Sequence, residues 1–281
     1  MIVDCHTHID FKAHEPDWAG YLAASKMVDA SVILAGPETD RGAANEAMAR
    51  FVRANSDKAL GFGVVDPVQD EIEGSFFTSW TGQLGLQGAV LYCAAGGFHP
   101  THSRAMRFYE AAEQAGLPVF FHNSALDVSR DGILAFVQPY LLDEVARAFP
   151  RLKIIVGSMG IPFVEQTLAL LVRHENVYAD LTVRPGNVWQ TYNIVVSSHE
   201  QGVMDKLVFG SGYPVATAEA CIETLLGFNN LMADTNLPTV PRGSLRSVVE
   251  RNSLELLGID YSRIKCKDRR LQVHSQEKTD K

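Results

Sequence analysis

Apolar positions in this chain fall into eight short runs rich in Val, Ile, Leu and Phe: MIVDCH, ASVILAG, ALGFGVV, GAVLYC, PVFFHN, LKIIVGS, NVYADLT and KLVFGSG. Near-continuous apolar runs of this length read as strands buried on both faces. Between them the apolar positions switch to helical spacing, which predicts helices over Arg41–Ala54, Ser103–Ala115, Leu141–Ala148 and Val164–Arg173. Buried strands alternating with helices call for a parallel sheet covered by helices. Eight such units predict a closed (β/α)8 barrel of the TIM type. An open doubly wound sheet is the competing architecture, but no G-x-G-x-x-G turn follows the first strand. Residues 1–262 read as one barrel domain that includes a final helix around Leu245–Leu257. The polar segment 263–281 has almost no apolar anchors and is expected to be poorly ordered.

In such a barrel the chemistry gathers where the carboxyl ends of the strands open into the βα loops. Alternation along the first strand sends Asp4, His6 and His8 to one side. The fifth strand ends in His122 and Asn123, which brings a third imidazole to the same rim. A single strand-end histidine is more often a hydrogen-bonded rim residue than a ligand. A His-x-His pair joined by a third histidine is different, because three neutral imidazoles make a sufficient shell for a divalent ion with one open position. Zinc suits that set best, and its bound water is the expected nucleophile. Asp4 reads either as an acceptor behind the ligating histidines or as a polar group of the barrel floor.

Further residues reach the same mouth. Tyr92 ends the fourth strand, and Arg184 follows the seventh as a candidate carboxylate clamp. The loop AAGGFHPTH brings His99 and Phe98 within reach of a substrate, while His14 and His102 read as solvated loop residues. His174, His199 and His274 are given no role.

The chain has 281 residues, 46% of them hydrophobic and 21% charged, which is ordinary for a globular protein. Its net charge of −8 argues against nucleic acid or an anionic membrane as partner and leaves small molecules as the ligand class. Cys5, Cys93, Cys221 and Cys266 show no C-x-x-C pairing, and Cys5 and Cys93 lie in apolar runs where a thiol is usually a small buried hydrophobe. A reducing cytoplasm is the expected location. No apolar stretch approaches the roughly 20 residues a membrane span needs.

Taken together, VDCHTH, GLPVFFHN, FPRLKIIVGSMGIP, NVYADL, LVFGSGYP and RNSLELLGI resemble the amidohydrolase-related barrels. Their amidohydrolase-2 branch includes aminocarboxymuconate semialdehyde decarboxylase, dihydroxybenzoate decarboxylases and pyrone dicarboxylate lactonase. The resemblance runs from Ile2 to about Gly258. It implies a metallo-dependent hydrolase barrel acting on a small, carboxylated or cyclic substrate, with cleavage of a lactone or amide-like bond or loss of a carboxylate. His6 and His8 match the first ligand pair of that family, and His122 matches its strand-five ligand. The family's strand-six acid/base histidine falls at Ser158, its strand-eight aspartate at Gly212 and its strand-four lysine at Val90. Three readings follow: an altered hydrolase or decarboxylase that keeps its ion, a non-catalytic barrel that binds a small ligand in the old mouth, or a barrel whose histidines are remnants. A homodimer is compatible with a barrel of this kind.

Overall fold

A computed structural model describes residues 1–11, 17–37, 40–72, 76–122 and 131–266. His14, Asn123, His274 and the tail from 267 lie outside the described residues. Among those described, eight parallel strands run in sequence order: β1 (Val3–Thr7), β2 (Ala30–Leu34), β3 (Ala59–Val64), β4 (Gly88–Leu91), β5 (Val119–Phe121), β6 (Ile154–Val156), β7 (Val177–Thr182) and β8 (Leu207–Gly210). Every strand residue is buried, as expected of a parallel sheet with side chains in the barrel on one face and helices on the other.

The sheet closes where β8 returns to β1. Just beyond β8 the amide of Gly212 donates to the carbonyl of His6 at 2.9 Å, and the amide of His8 donates to the carbonyl of Tyr213 at 2.9 Å. The carboxylate of Asp4 completes the seam: its Oδ1 accepts from the amides of Ser211 at 2.9 Å and His6 at 3.3 Å. β1 shifts register against β2 between Asp4 and Thr7, an irregularity that re-aims side chains at the strand's exit.

The helices over Arg41–Ala54 and Val164–Arg173 have the expected bounds, and that over Ser103–Gln114 differs by one residue. Two expectations are corrected. The segment expected as one helix from Leu141 opens as a 3₁₀ turn over Pro139–Leu142 and becomes α-helical only from Asp143 to Ala148. Pro139 has the preset φ that suits the first position of such a turn. The final helix is two, Arg242–Glu250 and Ser253–Leu256, because Arg251 is extended and Asn252 caps the second with its side chain. No helix among the described residues is long and apolar enough to cross a membrane.

Candidate metal centre

At the carboxyl ends of β1 and β5 the rings of His6, His8 and His122 meet edge to face, with centroids 5.0, 5.1 and 5.3 Å apart. One nitrogen from each lies within 4.8 Å of the others, the only cluster of three or more potential ligands among the described residues. Phe120, on β5 two residues before His122, packs edge to face against His6 with centroids 5.3 Å apart. Tyr92 stacks on His122 at 4.8 Å while its hydroxyl donates to the carbonyl of Ala35 at 2.8 Å, so a ring anchored on the far side holds the third imidazole.

Hydrogen bonds to the outer ring nitrogens set the tautomers. Nδ1 of His8 lies 3.0 Å from the carbonyl oxygen of Leu34 and must donate, because a carbonyl can only accept. Nδ1 of His6 lies 2.5 Å from Oδ2 of Asp180 on β7 and donates to that carboxylate. Both Nε2 atoms therefore carry lone pairs, yet they face each other at 3.0 Å. Two acceptors at that distance repel unless a cation stands between them. The residues thus fit a divalent ion, with the orientation that ligating histidines usually receive from a carboxylate or carbonyl behind them.

Electrostatics favour the same state. Burial, then the neighbouring His6, pulls the pKa of His8 down to about 3. Burial and the two other rings hold His122 well below the ordinary histidine value. Both rings are neutral at physiological pH, the form in which imidazole ligates.

Asp180 is the site residue that the sequence reading passed over. It is fully buried, and its Oδ2 also accepts from the amide of Ser158 at 2.9 Å and from the hydroxyl of Thr182 at 2.6 Å. Thr182 in turn accepts from the hydroxyl of Ser158 at 3.2 Å. The signal in the sequence was a carboxylate inside an otherwise apolar strand run, a place where charge is almost never buried without a partner. Asp4 proves to be a seam residue, and burial pushes its pKa up to about 6.

A cavity of about 270 Å³ opens above the three rings, and Tyr92, Ser158, Thr182, Arg184 and Gly212 contribute to its wall. Of the residues expected at the mouth, the structure brings together His6, His8, His122, Tyr92 and Arg184. His99 is not among the residues that line this cavity. Its Nδ1 accepts from the hydroxyl of Thr101 at 2.8 Å, and its ring packs on Phe136, so the loop folds the imidazole onto itself. Phe98 is buried in the core, and His102 caps the helix Ser103–Gln114 by accepting from the amide of Arg104. His174 bonds Asp143 at 2.8 Å, away from the mouth. Cys5, Cys93 and Cys221 are buried, and burial pushes their thiols up, away from the reactive thiolate.

The amidohydrolase family profile matches residues 3–259, nearly the whole described barrel. The chain belongs to the amidohydrolase family. No curated protein matches it in sequence. Among solved structures it is similar to a probable 2-pyrone-4,6-dicarboxylic acid hydrolase from Acinetobacter baumannii at 17% identity and a TM-score of 0.60, covering 92% of this chain and 99% of that one. It is also similar to 5-carboxyvanillate decarboxylase from Sphingomonas paucimobilis, at 15% identity and a TM-score of 0.65 over 92% and 99% of the two chains. A dihydroxybenzoic acid decarboxylase from Polaromonas, solved with manganese and 2-nitroresorcinol, matches at 14% identity and a TM-score of 0.63 over 92% and 96%. At these identities the likeness is one of fold.

Two positions in this amidohydrolase carry no acid or base where the resemblance implies one. Ser158 sits in the left-handed region at φ 47°, buried, with its amide spent on Asp180 and its hydroxyl on Thr182. Gly212 has φ 66°, and a Cβ there would come within 2.8 Å of the Thr182 methyl. Both line the cavity, and neither offers it a titrating side chain.

Proposed function

We propose that this amidohydrolase is a metal-dependent hydrolase working in the cytoplasm on a small carboxylated or cyclic substrate with a lactone or amide-like bond, and that its ion is zinc. The observation that carries this reading is the convergence of two opposed Nε2 lone pairs and a third neutral imidazole beneath a cavity that Arg184 also lines. His6, His8 and His122 would hold the ion, which when bound supplies Lewis-acid polarisation of a substrate oxygen and lowers the pKa of water. The chain's own groups do the remainder. Arg184 offers a planar pair of donors to a substrate carboxylate. Asp180 and Leu34 hold the two β1 rings in their ligating tautomers, and Tyr92 keeps His122 in place.

One observation favours a second reading. No Asp or Glu stands among the described residues lining the cavity, so the wall supplies no obvious base for an attacking water. Decarboxylation of an aromatic or muconate-like acid requires no base to activate water; the carbon–carboxylate bond breaks with release of carbon dioxide, and the proton that replaces it on carbon would come from solvent water reaching the open cavity. Both chemistries occur in the names of the solved neighbours. Manganese, present in one of them, is then the alternative ion.

Elemental analysis of purified, metal-reconstituted protein should find about one divalent ion per chain in the wild type and none in His6→Ala. A wild type that stays free of metal after reconstitution sinks both readings. For a substrate that turns over, uptake of isotopically labelled oxygen from water into product marks hydrolysis, whereas release of carbon dioxide without it marks decarboxylation. A small carboxylate that raises the melting temperature and is never consumed would make the barrel a binding protein.

A further inference from the structure

Ser158, just past β6, lines the cavity above the three rings, and both of its backbone groups are engaged away from that space. Its amide donates to Oδ2 of Asp180 at 2.9 Å, and its carbonyl accepts from the amide of Ile161 at 3.1 Å. What it gives the cavity is its hydroxyl, and the backbone holds that hydroxyl in one place. Ser158, Met159 and Gly160 run through the left-handed region in succession, at φ 47°, 53° and 64°. Residues with a Cβ rarely adopt it, and two in a row persist only where their surroundings fix them. Here the fixing contacts are the Asp180 carboxylate on the amide of Ser158 and the hydroxyl of Thr167, which donates to the carbonyl of Met159 at 2.8 Å.

The hydroxyl hydrogens at this wall have one direction open to them. Oδ2 of Asp180 receives the amide of Ser158, which can only donate, so that oxygen is an acceptor. Thr182 therefore spends its single hydrogen on it, at 2.6 Å. With that hydrogen committed, Oγ1 of Thr182 can only accept from Ser158, and the serine hydrogen points at it across 3.2 Å. The other side of the same threonine oxygen faces Nδ1 of His6 at 3.1 Å. Both hydrogens run inward, and the Ser158 oxygen has only lone pairs left for the cavity. A ligand that brings an O–H or N–H there extends the chain, whereas a carbonyl, ether or ester oxygen sets lone pair against lone pair. We infer that Ser158 is a specificity-determining acceptor, and that the substrate carries a hydroxyl or amide N–H that donates to its Oγ. This rests on the reading of the cavity as the site of a small carboxylate and narrows the substrate class within it.

The test uses the full-length, zinc-loaded protein, with binding followed by calorimetry. The O–H arm compares glycolate, β-hydroxypropionate and γ-hydroxybutyrate with counterparts in which fluorine, similar in size and unable to donate, replaces the hydroxyl. The N–H arm compares succinamate with monomethyl succinate. In at least one arm the donor should bind about five- to tenfold more tightly than its counterpart, and the arm that shows the preference tells which donor the substrate carries. Ser158→Ala and Ser158→Gly, made separately in case one fails to fold, should erase that preference while zinc content stays the same. If every donor and its counterpart bind equally to the wild type, Ser158 selects nothing, and the inference falls while the carboxylate and metal readings stand. A preference that survives in both variants assigns the acceptor to another residue and overturns the inference as well. When none of the acids binds the zinc-loaded protein, the carboxylate reading of the cavity fails and takes this one with it.

Discussion

Asp180 is the residue on which the centre turns, although it is not among the residues that line the cavity above the three rings. Its Oδ2 gathers the Nδ1 of His6, the amide of Ser158 and the hydroxyl of Thr182, so one buried carboxylate oxygen aligns groups from β1, the exit of β6 and β7. A carboxylate behind a ligating imidazole fixes the tautomer and raises the basicity of the nitrogen that faces the ion. Asp180→Asn keeps the shape and removes the charge, and it should weaken zinc affinity by about 10- to 100-fold in a competition assay with a chelator. A loss of melting temperature with unchanged zinc affinity would reduce Asp180 to a packing role. His8 is held differently, by a backbone carbonyl, and has no comparable side chain to mutate.

Among the elements, β8 does its work by carrying no side chain where it passes the site. A Cβ on Gly210 would collide with Oδ1 of Asp180 and come within 2.8 Å of Cβ of His6. Gly210→Ala should therefore push the carboxylate off His6, costing about 1–3 kcal/mol in stability and most of the zinc binding, as read by denaturant melts and metal titration. Retention of full zinc affinity in that variant would mean the Asp180–His6 contact is dispensable. The strands themselves were legible in the sequence because parallel strands buried on both faces leave uninterrupted apolar runs. His6 and His8 were legible because a period of two puts them on one side. Asp180 was not, since its meaning depends on a partner 174 positions away that only barrel closure brings near. Nor was the fate of His99, which depends on how one loop bonds within itself. The break at Arg251 was hidden for a similar reason: its guanidinium donates to the carbonyls of Met204, Asp205 and Leu207, tertiary contacts that outweigh local helical periodicity.

At the scale of the whole molecule, the two ends of the barrel serve different ends. Opposite the mouth, Lys58 donates to the carbonyls of Ser25 and Val28, and Arg251 ties down the approach to β8, so cations there tend the backbone. At the mouth, neutral imidazoles are buried at a cost that appears as acid sensitivity. In the metal-free protein His8 and His122 stay neutral far below the ordinary histidine pKa, while in the unfolded chain they protonate near 6.5. Between those limits the unfolded state binds more protons, so stability falls as pH drops below about 6.5, by up to about 1.4 kcal/mol per pH unit for each ring. Asp4, pushed up to about 6, binds a proton earlier when folded and opposes one ring's slope below that pH. Denaturant melts of chelator-treated protein from pH 7 to 5 should show a falling midpoint, and zinc at 100 times its dissociation constant should restore about 2.7 kcal/mol at neutral pH. A midpoint indifferent to acid would mean that the two rings already carry protons in the folded chain.

Asp4 grips the amide of Ser211 while sitting two residues before His6, and the amide of Gly212 rests on the carbonyl of His6 itself. The first strand of the barrel is thus held in its final place by residues that directly follow the last one. Its two imidazoles have to wait through the synthesis of more than 200 residues before they are clamped, and a truncated product ending before Ser211 would carry both of them with nothing to close the ring around them.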